Sequence, residues 1–572
     1  MKINDVEKIT GLTAKAIRLY ESKGLLFVSR EENGYRNYSD GDVEALKKIK
    51  LLRGIGVSIS DIKLYLFGVI SIEELIDKRK SEILKESGKN SEKYRICQSI
   101  LNKDIGNPYE SNFDFTESES IVCKGCGTVC VGIDIGTTTI SAAVYDLDNK
   151  EQKEAYTLSH NSYTKTGSYS EQSVSVIMEK SQKLLYHILN TYKSVVSIGI
   201  SGQMHGIVYI DKNGNAVSDL INWQDKRADL VLENGKSVCQ IIKDITGEEI
   251  STGYGIATHY YNMKNGLVPK DAVSFCSIMD LFGMSLCKNK KPVTHSSVAA
   301  SFGLFDVKSN CFKKDKLSLL GIDEGSLPCV TGESTIIGYC NKIPVSVPLG
   351  DNQASFLGSV RENKSSILVN MGTGSQISAV GDYQNVVGDI ELRPFIEGKY
   401  LICGSALCGG FAYSMLEEFF RSYIVSAGIE EASQYKTMDR LAREAYERGD
   451  KGLIVDSTFC GKRSNPNLRG AVREIDRESL TPSNLILGVL KGMCNELFEL
   501  YEAFPEKRTQ AVASGGAVKK NEILKYLISD TFGMQTSVSA LKEEASTGVA
   551  LFSSFVAGRA DYDNGFGKYL KE

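Results

Sequence analysis

One short stretch, residues 131–141, constrains this chain more than any other part of its sequence. An apolar strand delivers a carboxylate at Asp134, the chain turns at Gly136, and three consecutive threonines precede a second apolar segment. Glycine lets the backbone approach an anion closely, and threonine N–H and hydroxyl groups can donate to it. The stretch therefore predicts a hairpin whose turn binds phosphate through Gly136, Thr137, Thr138 and Thr139, with Asp134 holding Mg2+ through water. A plain hairpin is the alternative for so short a motif.

Two later segments extend this nucleotide site. An apolar strand over residues 367–371 ends in the same Gly-Thr pattern, so that two such turns facing each other would hold one triphosphate. A further strand ends in a Gly-Gly pair before a helix begins, and bare glycine backbone lets a flat adenine lie close. The predicted ATP contacts in these segments are Gly372, Thr373, Gly374, Gly515, Gly516 and Asn521.

Two polar clusters predict a sugar site. A buried strand over residues 195–201 ends in a glycine-flanked polar cluster, and residues 222–227 contain the only tryptophan of the chain. Polar groups that follow a strand lie at a sheet edge, where ligands bind. A tryptophan can stack on the apolar face of a sugar, and Asp225 and Arg227 can bond its hydroxyls. The predicted sugar contacts are Gln203, Met204, His205, Trp223, Asp225, Arg227 and Asp351.

Asp351 is the predicted catalytic residue. It follows Gly350 and precedes a run of small residues that opens a helix, Ala354 to Val360. A carboxylate at a helix N-terminus that faces a cleft is suited to accept a proton from an alcohol. Structural capping of the helix is the alternative role for an aspartate so placed.

The N-terminal residues predict a DNA-reading arm. Thr13 is a good N-cap for a second short helix, which would present Lys15 and Arg18 outward. Asn33-Gly34 then predicts a hairpin, and two capping boxes, at Ser39 and Ser58, predict further helices. Residues 1–60 carry eleven Lys/Arg against eight Asp/Glu, a local excess of positive charge in a chain of net charge −4. A helical protein-interaction module is the alternative.

Residues 71–104 could form a helix with an apolar seam of Ile76, Ile83, Tyr94, Cys97 and Leu101, but the register is poor and Gly88 interrupts it, so a dimerisation role for this helix is implied only by family resemblance. Residues 105–128 predict an exposed linker that ends near three cysteines, Cys123, Cys126 and Cys130. Without a fourth ligand nearby, free thiols or a redox pair are favoured there over a metal site.

Length and composition predict a soluble cytoplasmic protein of several domains. The chain has 572 residues, and no run approaches the roughly 18 apolar residues needed to span a bilayer. Its start has no signal-peptide pattern, and its 14 cysteines are scattered singly, which is typical of reduced thiols.

The strings 16–26, 33–38 and 52–62 resemble the winged helix-turn-helix domain of MerR-type transcriptional regulators, over residues 1–70. The resemblance implies binding of double-stranded DNA, mostly through phosphates, and a homodimer. The DNA contacts implied, with Lys15, are Arg18, Tyr20, Arg30, Tyr35 and Arg36.

From residue 129 onward the order of motifs resembles the FGGY carbohydrate kinases, and within them the sedoheptulokinases. This implies an α/β fold of two ribonuclease-H-like lobes of the actin and hexokinase type, residues 129–358 and 359–572, after the winged helix-turn-helix domain and connecting helix. It also implies ATP and Mg2+ as cofactors, Asp351 as general base and Asp134 in the metal and phosphate site. Xylulokinases share the Gln203-Met204-His205-Gly206 string, which therefore indicates a ketose substrate better than it indicates a seven-carbon sugar.

The function predicted is a sugar kinase that carries its own DNA-binding arm. A transcription factor that uses a kinase fold only to sense sugar is the competing hypothesis, and an active kinase whose arm has lost its DNA is a third. Retention of Asp134, Asp351 and both phosphate turns favours activity, and the basic set at Arg18, Arg30 and Arg36 favours DNA binding.

Overall fold

The structure, a computed structural model, describes residues 1–26, 28–30, 36–87, 92–101, 127–386, 388–462, 464–465 and 467–570. The chain forms two compact units, one built mainly from the helices before residue 102 and the other mainly from residue 127 onward. The turn of the predicted wing, Tyr35, Gly88, Cys123, Cys126 and nearly all of the predicted linker lie outside the described residues.

The first unit is helical with one pair of short strands. Thr13 caps the second helix by accepting from the N–H of Ala16, and Ser39 forms a complete capping box with Asp42, as predicted. The strands pair antiparallel where the wing was expected. Its elements are α1 Ile3–Thr10, α2 Ala14–Ser22, β1 Ser29–Arg30, β2 Arg36–Asn37, α3 Asp40–Gly54, α4 Ile59–Leu66, α5 Ile72–Ser87 and α6 Glu92–Leu101.

The apolar seam predicted for a dimer lies inside this unit. Residues 71–104 form two helices, α5 and α6, in place of one long helix. Ile76, Ile83 and Cys97 are buried in a core shared with α2, α3 and α4. Because these side chains are already covered by their own chain, they offer no open seam, and the homodimer stays a prediction.

The first lobe of the second unit is built on a seven-stranded sheet of order β18-β19-β8-β3-β4-β5, with β20 also paired to β8. β3, β4 and β5 are antiparallel neighbours, and β8 runs parallel to β3. The strands are β3 Val129–Ile135, β4 Thr139–Asp146, β5 Glu151–Ser159, β6 Tyr163–Lys165, β7 Glu171–Gln172, β8 Val195–Gly202, β9 Val208–Ile210, β10 Leu220–Ile221, β11 Val231–Glu233, β12 Lys236–Ser237, β13 Ser274–Cys276, β14 Val293–His295, β15 Phe305–Asp306, β16 Cys311–Phe312, β17 Cys329–Thr331, β18 Ile336–Cys340, β19 Ile343–Ser346 and β20 Leu349–Gly350. The helices are α7 Val174–Thr191, α8 Val238–Thr246, α9 Gly255–Lys264, α10 Ile278–Cys287, α11 Ser296–Ala299, α12 Lys314–Leu319 and α13 Asp351–Ser359, with 3-10 turns at Arg227–Asp229, Ala300–Phe302 and Glu324–Ser326.

The second lobe repeats this plan in a six-stranded sheet of order β23-β24-β22-β21-β27-β28. β21, β22 and β24 are antiparallel neighbours, and β27 runs parallel to β21, as β8 does to β3. The repeat of one mixed sheet confirms the predicted two-lobe α/β fold. The elements are β21 Ser366–Met371, β22 Ser375–Gly381, β23 Ile390–Pro394, β24 Tyr400–Ala406, β25 Ile454–Asp456, β26 Ala471–Arg473, β27 Gln510–Ser514, β28 Gln535–Val538, α14 Gly409–Ser426, α15 Tyr435–Glu447, α16 Pro482–Glu502, α17 Gly516–Lys520, α18 Ile523–Phe532 and α19 Glu544–Val556.

A pair of helices, α13 and α19, joins the two lobes with almost no space between them. A Cβ atom added to Gly548 would lie 1.9 Å from the carbonyl oxygen of Ala354, and one added to Gly358 would lie 2.0 Å from that of Glu544. Because real Cβ atoms never come so close, both positions require glycine. The seam places the N-terminus of α13, which carries Asp351, at a fixed position between the lobes. No helix of the described residues is long and apolar enough to cross a bilayer.

Candidate active site

Two carboxylates share one crevice in the second unit. Asp134 lies near the end of β3 and accepts a hydrogen bond from the Ser201 hydroxyl of β8 at 2.7 Å. Burial raises its pKa to about 7, the bond from Ser201 opposes this, and the negative charge of Asp351 raises it further. Strand β8 links the two residues, because Asp134 is in register with Ser201 and Gly350, the residue before Asp351, pairs with Gly202. The structure thus places the predicted metal-site and catalytic residues at the same end of the first-lobe sheet.

Asp351 is the first residue of α13 and is partly exposed. Its carboxylate accepts from the N–H of Asn352 at 2.8 Å. Burial raises its pKa to about 6, and the Arg393 guanidinium holds that pKa lower than burial alone would. Near neutral pH the carboxylate is therefore mostly ionised yet still basic enough to accept a proton, as a general base must be.

The first Gly-Thr turn is oriented by a row of hydrogen bonds to its carbonyls. All five carbonyl oxygens from Ile135 to Thr139 accept from protein groups, within 3.3 Å. In a planar trans peptide the N–H points opposite to the C=O, so the N–H groups of Thr137, Thr138 and Thr139 point away from these donors, whereas the Gly136 N–H bonds within the turn. An outward row of N–H groups is suited to an anion. The donors are the backbone N–H groups of Gly136, His160 and Gln203 and the side chains of Gln172, His160 and Gln203.

The second Gly-Thr turn is held by the start of α14. Gly372 N–H donates to the Gly374 carbonyl at 2.9 Å, and the N–H groups of Gly410 and Phe411 donate to the carbonyls of Gly372 and Thr373. Thr373 and Gly374 are exposed, so this turn also offers its edge to a ligand.

The Gly-Gly pair joins β27 to α17. A Cβ atom added to Gly516 would meet no atom within 4 Å, so its backbone is open on that side. Asn521 is placed differently from the prediction. Its amide donates to Asp439 at 2.8 Å and its carbonyl oxygen accepts from Ile523 N–H, so both ends are engaged in holding α15 and α18.

The cluster after β8 is tightly fixed. His205 has a φ of 71°, its backbone N–H donates to the Ser301 hydroxyl oxygen at 3.0 Å, and its ring stacks on Tyr254 with centroids 4.5 Å apart. Met204 packs close to Gly350, immediately before Asp351. Gln203, as described, bonds the first turn. Met204 therefore lies next to the residue that precedes Asp351, His205 is held by Ser301 and Tyr254, and Gln203 supports the first Gly-Thr turn.

The second polar cluster divides into an exposed and a buried part. Trp223 is 46 % exposed, and its Nε1–H donates to the Thr137 hydroxyl at 2.9 Å. The prediction that Asp225 and Arg227 bond sugar hydroxyls is wrong for this structure, because they are 0 % and 2 % exposed and bond each other at 2.7 Å. Arg227 also donates to Glu171 and Asn262, so its donors are used in holding the loop.

The candidate DNA surface lies on the first unit. Lys15 and Arg18 are exposed on α2, as predicted. Tyr20 is a correction, because it is 8 % exposed and packs in the core of the unit. Arg36 donates to Glu21 at 2.6 Å, so a phosphate would have to compete with that carboxylate. Tyr35 and the side chain of Arg30 lie outside the described residues.

Three supporting residues were missed by the sequence reasoning. Gln172 and His160 come from β7 and from the end of β5, far in sequence from the turn they hold, and Tyr254 precedes α9. Tyr254 lies in the string Thr252-Gly-Tyr-Gly-Ile-Ala-Thr258, which resembles the carbohydrate-kinase pattern and is the signal in the sequence for one of the three.

Asp134, the predicted metal residue, offers carboxylate oxygens, which are donors that suit Mg2+. Mg2+ keeps several waters and takes one or two carboxylates plus substrate phosphates. Among the residues that the structure describes, no group of three or more His, Cys, Asp or Glu side chains could hold a metal.

The chain matches the models of two known protein families. Residues 129–358 match the N-terminal domain and residues 369–557 the C-terminal domain of the FGGY family of carbohydrate kinases. Residues 1–67 match the MerR HTH family regulatory protein. Mouse (Mus musculus) sedoheptulokinase is 25 % identical over 450 residues, 71 % of this chain and 93 % of the relative. Staphylococcus xylosus xylulose kinase is 23 % identical over 458 residues, 74 % of this chain and 90 % of the relative.

Among solved structures, gluconate kinase from Lactobacillus acidophilus superposes with a TM-score of 0.67 at 17 % identity, covering 77 % of this chain and 92 % of that chain. The two family matches together cover both lobes of the second unit. The chain belongs to the FGGY family of ATP-dependent carbohydrate kinases and carries a MerR-type helix-turn-helix domain at its N-terminus.

Proposed function

We propose that the chain transfers the γ-phosphoryl of ATP to a terminal hydroxyl of a ketose, and that the ketose is sedoheptulose, giving sedoheptulose 7-phosphate. The observation that carries the proposal is that Asp134 and Asp351 lie at the same end of one sheet, where Asp134 is in register with Ser201 of β8 and Gly350 pairs with Gly202 of that strand. A protein that only senses sugar would have no physical need for a base beside a metal-site carboxylate.

The residues supply the parts that phosphoryl transfer requires. Asp351 accepts the proton of the attacking hydroxyl, because its carboxylate is mostly ionised near neutral pH and Met204 of the predicted sugar cluster packs on the preceding residue, Gly350. The two Gly-Thr turns offer N–H groups to the phosphates, and positioning of this kind accounts for most catalysis of phosphoryl transfer. Mg2+ bound near Asp134 would neutralise charge on the transferring group.

The identity of the sugar rests on family resemblance and on the residues around His205. Sedoheptulokinases and xylulose kinases match this chain at similar identity, so a five-carbon ketose is the alternative substrate. A panel of ketoses scored by ADP production separates the two.

We also propose that the first unit binds double-stranded DNA. Exposed Lys15 and Arg18 on the capped helix α2 support this, because phosphate contacts supply most of the affinity of such modules.

The kinase proposal is tested with Asp351→Asn. We expect sugar-dependent ADP production to fall about 10²- to 10⁴-fold, the usual contribution of a general base. Sugar binding should persist, and the single tryptophan, Trp223, can report it by fluorescence. The matched control is Asp382→Asn, an exposed aspartate paired with Lys399. Wild-type protein that turns over no sugar, or Asp351→Asn that keeps wild-type turnover, would overturn the proposal.

A further inference from the structure

Asp439 is a partly buried aspartate of α15 that two neighbouring elements of the second lobe bond at one and the same oxygen. The Tyr413 hydroxyl, from α14, donates to its Oδ1 at 2.8 Å. The amide of Asn521, at the end of α17, donates to Oδ1 as well, also at 2.8 Å. Asn521 is itself fixed, because its carbonyl oxygen accepts from the Ile523 N–H. One oxygen of this carboxylate is therefore used by the fold.

The other oxygen, Oδ2, has no hydrogen-bond partner among the residues that the structure describes. Arg443, a cation one turn further along α15, donates instead to Glu522 at 2.8 Å. Asp439 is partly exposed, so a ligand can reach Oδ2. An ionised carboxylate only accepts hydrogen bonds, so the ligand group that meets it has to be a donor.

This carboxylate lies beside the backbone on which adenine is proposed to lie. A Cβ atom added to Gly410, at the start of α14, would lie 3.7 Å from the Cβ atom of Ala517 in α17. The two residues that bond Asp439 lie one helical turn further along these two helices. The open glycine, Gly516, begins α17, and the five residues of that helix span about 7.5 Å, a length similar to that of a purine.

Purine bases differ at the position that such a carboxylate would contact. Adenine carries an amine at carbon 6, which donates, whereas hypoxanthine and guanine carry an oxygen there, which accepts. Because an ionised Oδ2 is an acceptor alone, it binds the amine and repels the oxygen. A site whose polar group is left unpaired by an analogue rejects that analogue.

We propose that Asp439 selects the nucleotide of the kinase, because its Oδ2 accepts a hydrogen bond from the 6-amine of adenine. The inference rests on the proposed kinase function. It names the residue that makes ATP the preferred phosphoryl donor among the purine triphosphates. Oδ1 holds three helices of the lobe together, and Oδ2 binds the base.

Asp439→Asn should reverse the base preference and not merely weaken binding. The Tyr413 hydroxyl and the Asn521 amide both donate to the position of Oδ1, so the oxygen of the new amide takes that position. Its NH2 group then replaces Oδ2 and donates to a 6-oxygen. We expect kcat/KM to fall about tenfold for ATP and to rise about tenfold for ITP, a change of about 100-fold in their ratio.

Asp530→Asn is the matched control. Asp530 is an exposed aspartate of α18 that accepts from the Tyr446 hydroxyl at 2.8 Å, so it forms the same kind of pair in the same lobe. This variant should keep the wild-type ratio of kcat/KM for ATP and ITP. Equal losses with both nucleotides in Asp439→Asn would show that Asp439 serves the fold alone and would overturn the inference.

The wild-type chain gives a second test that does not depend on the folding of a variant. ADP, IDP and purine riboside diphosphate, which has neither amine nor oxygen at carbon 6, are titrated into the full chain by calorimetry at pH 8. We expect Kd to rise about tenfold from ADP to purine riboside diphosphate and further for IDP. IDP bound as tightly as ADP would overturn the inference.

Binding and turnover separate this inference from the proposed function. A chain that phosphorylates sugar with ATP and ITP equally well defeats the base selection alone. A chain that binds ADP with the expected selectivity and phosphorylates no sugar supports the base selection and defeats the proposed function.

Discussion

Two adjacent glycines, Gly515 and Gly516, should respond in opposite ways to the same added methyl group. Gly515 has a φ of 91°, and a Cβ atom there would lie 2.5 Å from the Met371 carbonyl oxygen. Gly516 begins α17, and a Cβ atom there meets nothing within 4 Å. A side chain at Gly515 is therefore excluded by the fold, whereas a side chain at Gly516 would be excluded only by the nucleotide proposed to lie against it.

The magnitudes follow from these geometries. A non-glycine residue at the backbone angles of Gly515 costs about 1–3 kcal/mol, so Gly515→Ala should lower Tm by about 3–10 °C for a lobe of this size. Gly516→Ala should leave Tm unchanged or higher, because alanine favours a helix by about 0.5–1 kcal/mol over glycine. The same methyl group would hold adenine off the backbone and raise the ATP KM about tenfold or more, a loss of about 1.4 kcal/mol.

The assay is thermal unfolding alongside an ATP titration at saturating sugar. Gly516→Ala with a wild-type ATP KM would show that no nucleotide lies on this backbone. Gly515→Ala with a wild-type Tm would show that the close approach to Met371 does not constrain the fold.

Two further predictions concern the sugar loop and the DNA arm. Trp223→Phe removes the hydrogen bond to Thr137, worth about 0.5–1.5 kcal/mol, and should lower kcat/KM for the sugar about two- to tenfold. In a Thr137→Ala background the same substitution should lower kcat/KM by less. Strictly additive losses in the double variant would contradict a shared interaction. Arg18→Ala should weaken binding to the upstream DNA of the gene in a gel shift and reduce its salt dependence, while Arg440→Ala, an exposed arginine of the kinase body, should not.

Local features of the fold were predictable because their signals are local. The cap at Thr13 and the box at Ser39 need only two residues three apart, and both are present as predicted. The hairpin of β3 and β4 likewise follows from two apolar runs around Gly136. The geometry of such motifs is set by neighbouring residues, so the two Gly-Thr turns could be predicted without tertiary information.

Burial was not predictable, because it depends on segments distant in sequence. Asp225 and Arg227 look like ligand-binding residues in sequence, yet Glu171 and Asn262 supply partners that saturate them. Tyr20 sits on the predicted recognition helix but faces the core, since α2 must bury one side. Asn521 is engaged by Asp439, 82 positions away. In each case a residue that is engaged within the fold was predicted to be free to bind a ligand.

The position of Asp351 depends on a helix that comes late in the chain. Asp134 is in register with Ser201 of β8, and Gly350, the residue before Asp351, pairs with Gly202 of the same strand. The negative charge of Asp351 adds to burial in raising the pKa of Asp134, so Asp134 is the carboxylate that holds a proton more readily. α19 fixes α13 by backbone contact at Gly358 and Gly548, where any side chain would push the two helices apart. A change in α19 should therefore move Asp351 although no residue of α19 was predicted to belong to the site.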